Sequence, residues 1–167
     1  QGDLLHISGK SFASQELMNA NVAERQAESA SRTLKEKLNK YPHINIELEY
    51  NNSLSIGSGV VLWALFKSKL VEETVVNVRL GSDVLGEKGK KSEKIGEEAA
   101  VKLISEINSD CSVDVHLADN LIPFLGVVGG QIKTSSISNH TLTNISTTEK
   151  FLDKKFDINK EKKIIKC

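Results

Sequence analysis

A short polar cluster, Ser138-Asn139-His140-Thr141, separates a predicted extended segment, residues 131–137, from a predicted helix. Beyond the cluster, apolar side chains recur with helical spacing at Leu142, Ile145 and Leu152. Ser138 or Asn139 is suited to the N-cap position, because each has a short side chain whose oxygen can accept a hydrogen bond from a free backbone N–H. The sequence therefore predicts a helix that begins at this cluster, with His140 in its first turn.

His140 is the residue of this segment that could act as a nucleophile. The N-terminus of a helix is partially positive, so it attracts phosphate and disfavours an imidazolium. A histidine at that place is expected to stay neutral and nucleophilic, and Asn144 lies one turn further on the same face, where it could hold the ring or a ligand. On residue types alone, a histidine near a helix start more often caps the helix or faces solvent, and those roles stay open.

A second polar group consists of Asp114, His116 and Asp119, which fall within two helical turns. Two carboxylates and one imidazole could bind a divalent cation. Asp114 has another possible role, as the N-cap of a helix whose apolar face is formed by Leu117, Leu121 and Phe124. The cap is the preferred interpretation, and the metal site is the alternative.

The run NHTLTNISTTEKFL, residues 139–152, and the run VHLADNLIPF, residues 115–124, have the order and spacing of two signatures of a known family. They resemble the C-terminal signature and the x-L-A-D-Q-L-x-x-P helix of the RNA 3'-terminal phosphate cyclases. The stretch Leu85-Gly86-Glu87-Lys88-Gly89, followed by Glu93 and Gly96, fits the same family further upstream. The resemblance is archaeal-like in character. It covers essentially this whole chain, but only the back half of the family's protein.

The resemblance implies roles for five polar residues. In the family, the histidine that opens His-x-x-Thr-Asn takes AMP from ATP, which makes His140 the implied catalytic nucleophile. Asp119 matches the family's active-site aspartate, and Asn120 replaces the commoner glutamine with the same amide on a shorter arm. His116 stands where an aromatic ring usually packs against adenine, and histidine can also stack there. Together with Asn144 these residues are implied to bind the nucleotide, while the metal ligands stay unknown.

The activity implied by the resemblance is ATP-dependent conversion of an RNA 3'-phosphate end to a 2',3'-cyclic phosphate through a histidine–AMP intermediate, a ligase-type reaction in RNA processing. ATP and a divalent metal, Mg²⁺ or Mn²⁺, are the implied cofactors. The implied partners are an RNA with a 3'-phosphate end and the N-terminal half of the same protein. Because that half's glycine-rich signature and charged residues are absent here, the isolated chain is expected to be inactive.

The alternative function is that of a non-catalytic, cyclase-like protein that binds RNA in ribosome assembly. The resemblance implies that such relatives work without adenylation and lack the histidine, so the presence of His140 favours the enzyme.

Net charge gives no reason to expect nucleic acid, because Lys+Arg and Asp+Glu both number 22. A partner with phosphates would have to meet a local basic patch. One candidate patch is formed by the lysines near the C-terminus, Lys154, Lys155, Lys160, Lys162, Lys163 and Lys166. The alternative is that these lysines line the solvated face of terminal strands.

The two cysteines, Cys111 and Cys167, show neither metal-ligand spacing nor a disulfide framework, which favours a reducing, cytoplasmic location. No apolar run approaches the ~18–20 residues of a membrane span and no signal peptide precedes the first element, so no membrane partner is expected. The sequence begins at Gln1 without a methionine, which suggests a fragment or a processed product.

The predicted fold is α/β (α+β). Residues 10–111 are expected to form a small α-β-β-β-α insert domain, with a helix from about Glu16 to the Tyr41-Pro42 stop and a second helix over residues 92–108. The three strands between them are predicted at Ile44–Tyr50, at a central Val60–Phe66 and at Val76–Leu80. Residues 81–91 are predicted as a loop, for which a turn is favoured over a phosphate cradle because the glycine spacing matches neither known phosphate motif.

Residues 1–9 and 112–167 are expected to form the C-terminal part of a larger catalytic repeat domain. The resemblance implies that this domain consists of two-helix, four-stranded units, of which this chain holds the last. Residues 112–167 are predicted as helix, strand, helix, strand, strand. A strand over residues 2–8, ending at Gly9, is expected to pair with that region.

Overall fold

The computed structural model describes residues 2–38, 43–67 and 78–167, and these form two compact units. The first unit is Gly2–Asn108 and the second is Ser109–Cys167. Both units contain helices and strands, so the predicted mixed α/β class is confirmed. None of the helices in the described ranges is long and apolar enough to cross a membrane.

The first unit contains a four-stranded sheet with helices on one face. Its strands are β1 (Leu4–Ser14), β2 (His43–Asn51), β3 (Ser58–Phe66) and β4 (Val78–Leu85), in the spatial order β2-β1-β3-β4. β1 is parallel to β2 and antiparallel to β3, which is antiparallel to β4. A 3₁₀ helix (Gln15–Ala20) and helix α1 (Val22–Lys37) follow β1, and helix α2 (Ser92–Asn108) follows β4.

Strand β3 is an interior strand, as predicted, but only one of its faces is fully buried. Val60, Leu62, Ala64 and Phe66 are at most 2% exposed, whereas Val61 on the other face is 39% exposed. The buried face lies under α1 and α2, which pack on this sheet and on each other. The small-residue stripe of α1 faces the core, since Ala23, Ala27, Ala30 and Leu34 are all buried.

The strand expected over residues 2–8 is present from Leu4, but its expected end at Gly9 and its expected pairing with the second region are wrong. β1 continues through Gly9 to Ser14 and is bonded on both sides within the first unit, to β2 and β3. Gly9 does not end the strand but permits close packing, because a Cβ there would lie 2.5 Å from Leu62 Cδ2 and 2.8 Å from the Val61 carbonyl oxygen.

The helix predicted over residues 92–108 is confirmed without a shift of either end. The predicted loop 81–91 is too long, because Gly81–Leu85 belong to β4 and pair with β3. α1 ends at Lys37, and its predicted stop at Tyr41-Pro42 lies outside the described residues. The first residues of the predicted strand Val76–Leu80 lie outside them too.

The second unit contains helices α3 (Val115–Val128) and α4 (Asn139–Leu152) and three short strands, β5 (Gln131–Lys133), β6 (Asp157–Asn159) and β7 (Ile164–Lys166). The element order matches the prediction. The strands form an antiparallel sheet in the order β5-β7-β6. This sheet has three strands rather than the four of the predicted repeat unit, because β1 pairs in the other sheet. Its core is formed by Ile122, Leu125, Ile145 and Ile165.

Candidate functional site

The N-terminus of α4 is capped by Ser138. Its Oγ accepts a hydrogen bond from the Thr141 backbone N–H at 3.0 Å and lies 3.0 Å from Thr141 Oγ1. Thr141 is fully buried, so the cap is anchored in the core of the unit. Of the two predicted caps, Ser138 is therefore the one used, and Thr141, three residues later, is a partner that the sequence analysis missed. The S/T-x-x spacing of capping motifs is the signal that could have indicated it.

His140 is the second residue of α4, and its side chain is exposed. This confirms the prediction that it lies in the first turn of the helix. The N–H groups at the start of a helix have no intrahelical acceptor, so those of Asn139 and His140 add partial positive charge around the imidazole. An exposed imidazole in this setting is accessible to an anionic ligand.

The N-terminus of α3 is capped by Asp114, whose Oδ1 accepts hydrogen bonds from the backbone N–H groups of His116 at 3.1 Å and Leu117 at 2.7 Å. The cap interpretation of Asp114 is thus confirmed. Among residues 2–38, 43–67 and 78–167, no group of three His, Cys, Asp or Glu side chains is placed to hold a metal ion. His116, the second residue of α3, has an exposed side chain.

Helices α3 and α4 lie side by side and run in the same direction. Near their N-terminal ends, Asn144 Nδ2 donates a hydrogen bond to the Asp119 carbonyl oxygen at 2.9 Å. Nearer their C-terminal ends, Gly126 approaches Thr148 and Leu152 so closely that a Cβ on the glycine would lie within 2.8 Å of both side chains. Both N-terminal ends, and with them His116 and His140, therefore lie at the same end of the helix pair.

Asp119 is half-buried, and its buried Oδ1 has no hydrogen-bond partner among the residues that the structure describes. Leaving a buried polar atom unpaired costs about 1–3 kcal/mol, more for a charged group. Such an atom calls for an explanation, and a bound ligand that donates a hydrogen bond supplies one. Asp119 is therefore the strongest structural indication of a binding site in the second unit.

The two asparagines of the predicted site are both occupied by backbone contacts. Asn120 Nδ2 donates to the His116 carbonyl oxygen at 2.8 Å, one turn earlier in its own helix. Asn144 Nδ2 is committed to Asp119, so its visible role is to join α4 to α3 rather than to hold the His140 ring. The structure brings Asn144 and Asp119 together, and Asn120 and His116. Nucleotide contacts of these four residues, and nucleophilic attack by His140, stay predictions.

Comparison with known proteins bears on the first unit most directly. The family model for the insert domain of RNA 3'-terminal phosphate cyclase matches residues 1–108. The chain belongs to the RNA 3'-terminal phosphate cyclase family. The matched residues coincide with the first unit, so β1 falls within the insert-domain match together with the rest of its sheet.

Curated cyclases extend the similarity into the second unit. The chain is 41% identical to the RNA 3'-terminal phosphate cyclase of Pyrococcus furiosus over 156 residues, which is 93% of this chain and 42% of that relative. It is 42% identical to the enzyme of Methanosarcina barkeri with the same coverage, and 44% identical to that of Pyrococcus abyssi over 143 residues, 85% of this chain and 38% of the relative. The chain thus spans about two fifths of the length of these cyclases.

The longest of these matches covers the residues of the candidate site. A match to 93% of 167 residues can omit only about a dozen of them, so it includes His116, Asp119, Asn120, His140 and Asn144 whichever end it omits. The family similarity is therefore not confined to the insert domain.

Proposed function

We propose that this chain is the part of an RNA 3'-terminal phosphate cyclase that carries the nucleophile, His140. In the proposed reaction the His140 imidazole attacks the α-phosphorus of ATP, a P–N bond forms, and pyrophosphate leaves. The 3'-phosphate of an RNA end then attacks the same phosphorus and releases the histidine. Finally the neighbouring 2'-OH attacks the activated 3'-phosphorus, AMP leaves, and a 2',3'-cyclic phosphate remains.

One observation carries this proposal: His140 is exposed in the first turn of α4, at the end of the helix pair where α3 also begins. The N-terminus of α4 directs the backbone N–H groups of Asn139 and His140 and partial positive charge toward that end. At the N-terminus of α3 the N–H groups of His116 and Leu117 already donate to the Asp114 carboxylate. A phosphate there would be attracted to the imidazole, which favours attack on a phosphorus atom. Family membership supplies the reaction class.

Asp119 is proposed to act on the nucleotide or on the ring of His140. Its unpaired Oδ1 needs a hydrogen-bond donor, and a ribose hydroxyl, an adenine amino group or the imidazole N–H would each serve. Asn144 is proposed to hold Asp119 in place through its contact with the carbonyl group of that residue. His116 and Asn120, one turn apart on α3, are proposed to contact the base, with His116 stacking on it.

This chain offers few groups that could neutralise the charge of the triphosphate. A divalent cation would neutralise the triphosphate, but the described residues show no three-ligand set for one, so the proposal assigns it no ligand here. The arginines of the sequence are Arg25, Arg32 and Arg79, all before the second unit. We therefore place the metal ligands and the bidentate phosphate contacts in the part of the cyclases that this chain does not span.

The test is covalent labelling of the complete cyclase with ATP that carries a radioactive α-phosphate. The wild-type protein is expected to retain an acid-labile AMP label, which peptide mapping should place on His140. His140→Ala should abolish the label while the circular dichroism spectrum and melting temperature stay unchanged. His43→Ala is the matched control, because His43 is an exposed histidine of the first unit, and it should label normally.

Retained labelling in His140→Ala would contradict the assignment. A wild-type protein that binds RNA but takes no label, with the complete length present, would favour the non-catalytic RNA-binding alternative.

A further inference from the structure

A small cleft in the second unit lies between the segment that leads from β5 into α4 and the turn that joins β6 to β7. Its volume is about 290 Å³. It is lined by Ser135, Ser136, Ile137, Leu142, Lys160 and Lys163. None of these residues belongs to the site proposed above.

The walls of the cleft are fixed by backbone hydrogen bonds. The Thr134 N–H donates to the Lys163 carbonyl oxygen at 3.0 Å, which joins the two walls directly. The Ser135 N–H donates to the Val113 carbonyl oxygen at 3.3 Å. On the other side, the Lys162 N–H donates to Asn159 Oδ1 at 2.9 Å and Lys163 has a left-handed φ of 55°, so the turn is held tightly. The cleft is therefore built into the unit rather than formed by loosely placed side chains.

The charges that line the cleft are both positive. Within the described part of the chain, neither the Lys160 nor the Lys163 ammonium group has an ion-pair or hydrogen-bond partner, in contrast to Lys133, which donates to the Asp110 carbonyl oxygen, and Lys155, which pairs with Glu149. Glu161 is on the same turn but does not line the cleft. Two unpaired ammonium groups on one small cleft repel each other, and an anion bound between them would replace this repulsion with attraction.

A hydroxyl group in the wall also lacks a partner. Ser135 Oγ is buried and makes no hydrogen bond within the described ranges, although the residue as a whole is only half-buried. Because Ser135 lines the cleft, an anionic oxygen bound there is a candidate acceptor for this hydroxyl group. The free protein thus contains a donor whose pairing would add to the binding of an anion.

We propose that this cleft binds a phosphate group of the RNA strand, with Lys160 and Lys163 on its oxygens and Ser135 as a hydroxyl donor. Its identification with RNA rests on the function proposed above. The cleft, with a volume of about 290 Å³, has room for one phosphate group and part of a sugar. Ile137 and Leu142 offer carbon surface to that sugar, and lysines that follow the backbone are the usual means of holding a single strand.

The first test uses the ¹⁵N-labelled 167-residue chain and three probes at constant ionic strength: inorganic phosphate, ATP, and a short oligoribonucleotide that ends in a 3'-hydroxyl group. The amide signals of residues 135, 136 and 160–163 are expected to shift with all three. The oligoribonucleotide should saturate the shifts at a concentration at least tenfold lower than inorganic phosphate does. Tighter binding of ATP than of the oligoribonucleotide at these amides would overturn the assignment to RNA, and shifts confined to other residues would overturn the site.

Variants separate the cleft from general electrostatic attraction. Lys160→Gln with Lys163→Gln should weaken binding of the oligoribonucleotide at least tenfold. The matched control, Lys162→Gln with Lys166→Gln, removes the same charge from exposed positions of the same hairpin and should weaken it less than twofold. Ser135→Ala should weaken binding about threefold while leaving the melting temperature of the free chain unchanged or higher. Equal losses in the two double variants would overturn the proposal.

In the complete cyclase, the Lys160→Gln, Lys163→Gln variant should keep normal AMP labelling, which involves no RNA, and raise the KM for RNA in the cyclisation assay. A wild-type cyclase that takes no AMP label would refute the proposed function. The titration of the 167-residue chain with inorganic phosphate would still test the cleft in that case. The two failures are therefore distinguishable.

Discussion

Asn144 Nδ2 on α4 lies 2.9 Å from the carbonyl oxygen of Asp119 on α3, and this hydrogen bond joins the two helices that carry the candidate site. The bond fixes the position of the Asp119 backbone relative to α4, and therefore relative to His140 one turn earlier. In the function proposed above, Asn144 is therefore a positioning residue for Asp119.

Asn144→Ala should therefore loosen the helix pair. The lost hydrogen bond is worth about 1 kcal/mol, and the higher helix propensity of alanine returns part of it, so a net loss of roughly 0.5 kcal/mol is expected. Hydrogen exchange should show faster opening of the α3 and α4 amides and no change in the first unit. Asn139→Ala, at an exposed position in the first turn of α4, should leave the exchange unchanged. Equal protection in both variants would show that the bond does not hold the helices.

Asp119→Asn should lower AMP labelling without lowering the stability of the fold. The amide has the shape of the carboxylate, and Asp119 Oδ1 makes no hydrogen bond to the part of the chain that the structure describes. The melting temperature should therefore stay within a degree or two or rise. AMP labelling of the complete cyclase should fall at least tenfold, because the ligand donor would lose its charged acceptor. A variant that melts early but labels normally once folded would show that Asp119 is structural.

The first unit should lose stability in acid through Glu93. Arg25 holds this carboxylate with two hydrogen bonds, from Nε at 2.7 Å and from an Nη at 3.0 Å, and thereby lowers the pKa of Glu93 to about 2. Because the folded-state pKa is depressed, the stabilisation is fully present above the unfolded-state pKa near 4.5 and is lost as the pH falls toward 2.

Urea unfolding of the first unit between pH 6 and pH 2 measures this effect. The midpoint for the wild type should fall across that window, and Glu93→Gln should remove part of the dependence. Glu97→Gln is the control, because its partner Lys94 is three residues away on the exposed face of the same helix. Identical pH profiles for the two variants would mean that the Arg25–Glu93 pair contributes nothing.

Local signals predicted the starts of α2, α3 and α4, whereas α1 begins at Val22 rather than at about Glu16. Long-range contacts escaped the sequence. Ser138 and Asp114 bond to backbone groups two or three residues away, so residue types and spacing were enough to identify the caps. Gly9 is required by Leu62 and Val61, more than fifty residues later, and no local pattern reveals that. The Asp119–Asn144 contact and the cleft of Ser135 with Lys163 likewise depend on how distant segments pack.

The position of β1 changes which fragment should fold alone. Residues 10–111, the predicted insert domain, would lack the first half of β1, including fully buried Ile7, although β1 is bonded to strands on both sides. Residues 2–108 keep the sheet and both helices, so they should show one cooperative thermal transition. Residues 10–111 should show a broad or much lower one. Equal cooperativity in the two fragments would mean that residues 2–9 are dispensable for the first unit.

The 167-residue chain by itself should neither take AMP from ATP nor cyclise RNA ends. Its candidate site has an exposed histidine and an unpaired carboxylate oxygen, but attack at phosphorus also requires that the triphosphate be neutralised and the leaving group aligned. No arginine follows Arg79 in the sequence. Those groups belong, in our proposal, to the remaining three fifths of the length of the cyclase relatives.

The second unit exposes large apolar side chains, as expected of a surface that another part of the cyclase covers. Phe124, Val127 and Val128 on α3 and Phe151 on α4 are each at least 66% exposed, which is costly for apolar side chains in water. We expect the front part of the cyclase to cover them as it supplies the phosphate contacts. Adding it as a separate polypeptide should therefore restore both activities and protect these side chains from solvent.

The assay combines the chain with ATP, Mg²⁺ or Mn²⁺ and a 3'-phosphorylated oligoribonucleotide, with and without the complementary polypeptide from a complete cyclase. Label and cyclic phosphate should appear only in the mixture, and the mixture made with His140→Ala should yield neither. Activity of the chain alone would show that the phosphate-neutralising groups lie within these 167 residues after all.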